Sequence, residues 1–232
     1  DGDDIDGQAL TFITGVPANG TISGFDANTG QYSYVPNVGF LGTDTFTYRA
    51  NDGIENSAEA TVTVDVSVSS PIIDLDKQAT GVDTSATYIE GQGAVNVAGS
   101  NIFLAAPSNE ITEVKVTLVN PSGGNQSLSF DTGVATAQTI NVAEDNTGVD
   151  SVLTLTPVGA DPLGAAAYQA VIETIAFDYD SVENNPDGGD RTVNFVVNGD
   201  ASSEATSTIT VTPVNDPPEI VPPGPLPSQL EI

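Results

Sequence analysis

Between Ala60 and Val68 apolar or small residues alternate with polar ones for nine positions: Ala60-Thr61-Val62-Thr63-Val64-Asp65-Val66-Ser67-Val68. Side chains on an extended strand point to opposite faces in turn, so this pattern gives one apolar face and one polar face. On a helix the same residues would be spread around the whole circumference, with no face to bury. The pattern recurs in Thr45–Ala50, Glu113–Val119, Thr192–Val197 and Thr208–Thr212. Turn-forming runs such as Asn51-Asp52-Gly53 and Asn120-Pro121-Ser122-Gly123-Gly124 punctuate these segments. The expected fold is all-β: tandem antiparallel Greek-key sandwiches with one face of each sheet buried. One stretch reads differently. Asp161-Pro162 could serve as N-cap and first helical residue ahead of Leu163–Ile172, although Gly164 weakens it. At most one short helix is expected, near 162–172.

A repeat lies inside the chain. Residues 42–66 align without gaps on 189–213, an offset of 147. Gly42, Thr45, Asn51, Thr61, Thr63 and Val64 recur as Gly189, Thr192, Asn198, Thr208, Thr210 and Val211. Phe46/Val193, Tyr48/Phe195 and Val62/Ile209 keep apolar character at the same phase. Each copy reads as a strand, an Asn-Asp-Gly-like turn and a second strand, a hairpin used twice. The division this implies is a first unit over 1–68, a larger second unit over 69–214, and a Pro-rich linker over 215–232 leading into a further unit. The first unit is short for a sandwich of about 100 residues. With the absence of any Met, this gives the expectation that the chain is a piece of a longer array whose first unit lacks a strand or two.

Charge narrows function. There are 32 acidic residues against four cations (Arg49, Lys77, Lys115 and Arg191), and the net charge is −28. Non-specific nucleic-acid binding needs a basic surface, so no nucleic-acid partner is expected. No apolar run reaches the ~18 residues of a membrane span, and no direct membrane insertion is expected. His and Cys are both absent. That removes imidazole-based nucleophile systems, thiol chemistry and Cys-ligated zinc. Carboxylates remain, and they suit a hard cation such as Ca²⁺.

Several segments resemble the tandem cadherin-like and Ig-like repeats of large bacterial surface adhesins. They are Phe40–Gly53, with Pro17-Ala18-Asn19-Gly20-Thr21 and Tyr32–Asn37 upstream. In the second unit, Tyr88–Gly93, Tyr168-Gln169-Ala170, Gly189-Asp190-Arg191 and Val214–Pro218 are similar to another repeat type of those proteins. The resemblance implies Ca²⁺ at the junctions between sandwiches. Its ligands would be an early Glu, an acidic residue before the penultimate strand, and the Asn-Asp of the linker. The matching positions are Glu90, Asp190, Asn215 and Asp216. The chain departs from the pattern near Ala105–Glu110, where Asp-x-Asp is expected, and at Val66–Pro71, which has no Asn-Asp.

Acid clusters give further candidates, each beside a plainer reading. Asp3 lies in the run Asp1, Asp3, Asp4 and Asp6, whose mutual repulsion a divalent cation would relieve; a solvated loop is the favoured, plainer reading. Asp178 and Asp180 fall on one strand face, ahead of the acidic stretch through Glu183, Asp187 and Asp190; metal binding competes with plain surface charge. Asp74 and Asp76 read first as guards on an edge strand. Arg191 reads as structural, through an ion pair or hydrogen bonds to loop carbonyls. Carboxylate pairs could run glycoside hydrolysis, but no Trp is available for a sugar platform, so no enzyme is expected.

The function implied is a non-catalytic, extracellular calcium-binding module of a surface adhesin. It would act in cell adhesion as an extender with Ca²⁺-stiffened junctions, with neighbouring repeats of the same chain as partners. The alternatives are a sandwich that binds a cell-surface glycan or protein through its loops, and an accessory domain of a secreted hydrolase.

Overall fold

A computed structural model describes residues 8–119, 125–146, 150–180 and 188–215. The alternating segments are strands, and the fold is an all-β sandwich. Over residues 8–68, strands β1 (Thr11–Thr14), β4 (Gly42–Asn51) and β5 (Ala60–Val66) form one antiparallel sheet in the order β1-β4-β5. Strands β2 (Gly20–Ser23) and β3 (Ser33–Pro36) form a separate hairpin.

From residue 72 onward the structure is larger. A six-stranded sheet has the order β12 (Ile140–Asp145), β13 (Ser151–Pro157), β10 (Val114–Val119), β15 (Gly189–Val197), β16 (Asp200–Thr212), β7 (Thr84–Ile89). Strands β11 (Asn125–Ser129), β14 (Ala176–Asp180) and β8 (Val95–Asn96) form a second sheet, and β6 (Ile72–Asp74) pairs with β9 (Phe103–Ala105). Among the described residues the pairings are antiparallel except one: β7 runs parallel to β16, Thr84–Ile89 against Ser207–Thr212. Among the described residues no sheet joins strands before residue 68 to strands after it.

The period-2 pattern does what it predicts in this larger part. Val114, Val116 and Leu118 of β10 are fully buried, as are Val193, Phe195 and Val197 of β15. Their neighbours in sequence lie on the other face. Across the core, Phe177 meets Tyr88 edge-on, with ring centroids 5.4 Å apart and planes at 87°.

The expected helix is present as α2 (Ala165–Ile172), with Tyr168, Val171 and Ile172 buried. Its N-cap is Gly164 rather than Asp161. Leu163 is held back from the helix by a two-way backbone bridge to Ile111, with N···O distances of 3.2 and 3.1 Å. The limit of one helix needs correcting: a second, α1, spans Thr132–Ala137. Asp131 caps it, its Oδ1 accepting from Gly133 N at 2.8 Å and Val134 N at 3.0 Å. Six residues with a Gly at the second position carry too little periodicity to be seen in sequence.

The two copies of the repeated hairpin differ in register. In the first, Gly42 faces Val66; in the second, Gly189 faces Val211, two residues short of the ungapped alignment. A tight Asn198-Gly199 turn (φ 52° and 69°) and a bulge beside Val197 absorb the difference. Because the slip is an even number, every side chain keeps its face.

Candidate functional site

The sheet order β15-β16-β7 gathers three of the expected positions at one end of the second unit. Glu90 follows the last residue of β7, and its backbone N donates to Thr212 O at 3.2 Å. Its side chain turns to the departing chain: Oε2 accepts from Val214 N at 2.8 Å. The other carboxylate oxygen, Oε1, is buried with no hydrogen-bond partner among the described residues. A carboxylate oxygen removed from water without a donor is costly, so its place invites a donor or a cation.

Tyr88 lies two residues before Glu90 and on the same, inward phase; its hydroxyl donates to Tyr179 O at 3.3 Å. Burial, then the negative charge of Asp178 and more weakly that of Glu90, pushes the Tyr88 phenol above its ordinary pKa. Asp178 lies on β14 of the opposing sheet between the buried Phe177 and Tyr179, with Oδ1 accepting from Tyr179 N at 2.9 Å.

Asp190 sits on the other face. It pairs in register with Thr210, whose hydroxyl donates to Asp190 Oδ1 at 2.8 Å, and it is exposed. Its neighbour Arg191 points into the core at 5% exposure. Glu90 and Asp190 therefore share an end of the sheet but not a face. Asn215 is exposed at the last described position. The backbone of Asp180 pairs with Asn125. The side chain of Asp180, and Asp3 and Asp216 entirely, lie outside the described residues. Among the described residues no group of three or more His, Cys, Asp or Glu side chains is placed to hold a metal.

Arg191 matches its plainer reading, while Asp74 and Asp76 take a role the sequence reading did not give them. Arg191 Nε donates to Gln126 Oε1 at 2.7 Å, and Nη1 donates to the carbonyls of Gly189 and Asp190 at 3.3 and 3.4 Å. Asp74 and Asp76 close successive Asx turns, accepting from Asp76 N and Gln78 N at 3.0 Å each.

The most heavily used carboxylate among the described residues was not singled out by sequence. Asp44, on β4, is 3% exposed. Its Oδ2 accepts from Asn19 N at 2.9 Å and from Tyr34 Oη at 2.8 Å; its Oδ1 accepts from Thr45 N at 2.9 Å and Ala18 N at 3.3 Å. Burial pushes this carboxyl up, but the four donors outweigh it and hold the pKa below the ordinary 3.8. Pro17–Gly20, Tyr32–Asn37 and Phe40–Gly53 are thus three distant segments joined at one buried charge. Gly20 belongs to the same arrangement: a Cβ there would lie 2.4 Å from the Tyr34 ring.

An open cavity of about 370 Å³ is lined by Leu41, Gly42 and Val66–Val68 together with Ala106 and Ser108. Nearby, Lys77 Nζ stands 4.9 Å from the Phe103 ring centroid.

Residues 1–68 match the family model of the bacterial cadherin-like domain. The resemblance to cadherin-like repeats carried by Phe40–Gly53 is shown for this part of the chain. No curated protein matches the chain. Solved structures that resemble it include an endo-fucoidan hydrolase from glycoside hydrolase family 107 (14% identity over 90% of this chain and 24% of that one, TM-score 0.27). Others are the human Desmocollin-1 ectodomain (14%, 95% and 38%, TM-score 0.27) and human CDH23 EC21-23 (13%, 89% and 59%, TM-score 0.32). This chain therefore spans less than two thirds of each of those chains, and likeness at such scores carries no argument about its activity. No helix among the described residues is long and apolar enough to cross a membrane.

Proposed function

We propose that the chain is a non-catalytic, calcium-binding extender module of a bacterial surface adhesin. Its units are 1–68 and 69–214, and residues 215–232 link them to a following repeat. The observation that carries this reading is Glu90. One carboxylate oxygen holds the departing chain at Val214, and the other is buried without a donor among the described residues. A Ca²⁺ ion, which takes six to eight oxygens, would fill that need. Glu90 would supply one ligand, and Asn215 and Asp216, which follow Val214 directly in sequence, would supply others. Asp190, on the opposite face, would contribute only to the outer charge of this end.

Ca²⁺ here would lock the exit of the second unit to whatever follows, cancelling repulsion between acids and cross-linking sandwich and linker. A cadherin-like match over 1–68 and a net charge of −28 support an extracellular, calcium-rich setting. Neighbouring repeats of the same chain are the partners this implies. The test is a calcium titration of the whole chain against EDTA, read by thermal melting and small-angle scattering. Binding to the folded state alone adds about 2.7 kcal/mol at a hundredfold excess over Kd, so melting temperature and particle length should both rise. Unchanged values at millimolar Ca²⁺ reject the calcium reading.

A further inference from the structure

Residues 67–71 carry the chain from the end of β5 to the start of β6. Pro71 is buried, and Ile72 pairs at once with Ala105, so the crossing is short. Residues 66–71 contain no acid. Asp65, just before them, is exposed and accepts from the Thr43 hydroxyl at 2.7 Å. This crossing therefore offers few of the carboxylates a hard cation needs, whereas the exit at Val214 offers Glu90, with Asn215 and Asp216 next in sequence. A cation of another kind stands here. Lys77 Nζ lies 4.9 Å from the Phe103 ring centroid, and the β6–β9 pairing brings Phe103 beside the crossing, opposite Asp74. The same amine reaches the β3–β4 turn: a Cβ built on Gly39 would lie 3.0 Å from Lys77 Nζ and 3.8 Å from Phe103 Cε2. Gly39 is left-handed, at φ 76°, in a turn that Phe40 N closes on Asn37 O at 3.0 Å. Glycine thus serves both the turn and the close approach of the lysine. The open cavity of about 370 Å³ lined from both sides leaves little other packing at this place. Asp74 and Asp76 accept from turn backbone, and Lys77 forms no ion pair among the described residues.

We propose that Lys77 is the built-in cation of this joint: seated on the Phe103 ring and packed against Gly39, its ammonium favours one arrangement of residues 8–68 on the part that follows, and does so without calcium. The negative face of the ring attracts the ammonium and holds it toward the β3–β4 turn. Its charge also works against repulsion between two parts of a chain that carries −28 in all. An exposed contact of this kind shifts an equilibrium by only about two- to fivefold, so the joint is biased and not locked. The chain then has one joint indifferent to calcium, ahead of an exit whose metal reading rests on Glu90.

The chain contains no Cys, so Thr61→Cys and Asn141→Cys, both at exposed positions, take a pair of spin labels on the whole 232-residue chain. Pulsed dipolar EPR reads the distances between the labels in EDTA. We expect one dominant distance that millimolar Ca²⁺ leaves unchanged. Lys77→Gln keeps a long polar side chain but removes the charge; Lys77 is exposed, so the fold should persist. The share of the dominant distance relative to all others should fall about two- to fivefold. Phe103→Leu, which keeps an apolar side chain but removes the ring, should act in the same direction. Lys115→Gln removes one positive charge from an exposed position on β10 and should leave the distances as they were. The proposal fails if no distance dominates in EDTA, or if one emerges only with Ca²⁺. It fails equally if Lys77→Gln changes nothing, or if Lys115→Gln acts as strongly, which would make net charge the cause. The decisive comparisons are made without calcium, so their failure is separate from failure of the metal reading at Glu90.

Discussion

The Tyr34 hydroxyl donates to Asp44 Oδ2 at 2.8 Å, and that one bond ties the β2–β3 hairpin to the central strand of the neighbouring sheet. Replacing Asp44 by Asn keeps the shape but turns one carboxylate oxygen into an NH2 donor, which then faces either Ala18 N and Thr45 N or Asn19 N and the Tyr34 hydroxyl. The expected result is a melting temperature lower by on the order of 10 °C for the first unit, followed through Tyr fluorescence. Gly20→Ala should act in the same direction, since its Cβ would meet the Tyr34 ring.

The same carboxyl makes the first unit acid-sensitive. Its folded pKa lies below the ordinary 3.8, so its stabilisation is complete above that value and is lost as pH falls through the depressed folded pKa. Acid titration of the whole chain should show the first unit melting out below pH 3.8, and Asp44→Asn should flatten that dependence.

Glu90→Gln separates the roles of the two carboxylate oxygens. The amide oxygen can still accept from Val214 N, so the stability in EDTA should change by no more than about 1 kcal/mol. The charge that would attract a cation is gone, so the calcium-dependent rise in melting temperature should shrink or vanish. An undiminished rise would remove Glu90 from the metal site.

Tyr168 is fully buried and donates to Ile111 O at 3.1 Å. Burial, and then the negative charge of Glu113, pushes its phenol up to about 12. Stability from this group is whole below pH 10 and falls as pH rises from there through about 12, which an alkaline unfolding curve will register. Tyr168→Phe removes one of the two donors to the Ile111 carbonyl, which still accepts from Leu163 N at 3.1 Å, and should cost about 1 kcal/mol in denaturant unfolding at neutral pH.

Thr139 holds φ at 56°, a left-handed conformation that a β-branched side chain resists. It follows the C-cap of α1, where Gly is the favoured residue. Thr139→Gly should raise stability by roughly 1 kcal/mol, measured by urea unfolding, because relief of strain exceeds the extra entropy of Gly in the unfolded chain.

Strands were legible where burial is one-sided. Glu113–Val119 and Thr192–Val197 show their faces in sequence because one face meets the core and the other does not. The parallel pairing of β7 was invisible, since alternation specifies a face but no partner. Asp44 was hidden for a related reason. It stands in an outwardly polar run, Thr43-Asp44-Thr45, and three of its four donors are distant in sequence: Ala18 N and Asn19 N, 26 and 25 residues away, and the Tyr34 hydroxyl on β3. At the far end, Glu90 and Asp190 were paired by resemblance, but the inward phase of Tyr88 and the exposure of Asp190 put them on opposite faces. That follows from strand register, which residue spacing alone does not encode.

The parallel run of β7 beside β16 has a mechanical consequence. These strands lie near the two ends of the larger unit, and six residue pairs join them, from Ser207/Thr84 to Thr212/Ile89. When the chain is pulled by its ends, the short β6–β9 pairing of three residue pairs takes load first and can detach early. Force then reaches β7 from its N-terminal end and β16 from its C-terminal end, so the two slide past one another and the whole ladder is loaded in shear. An antiparallel pair pulled from the same end would open one bond at a time, like a zip. The second unit is therefore built to hold under tension.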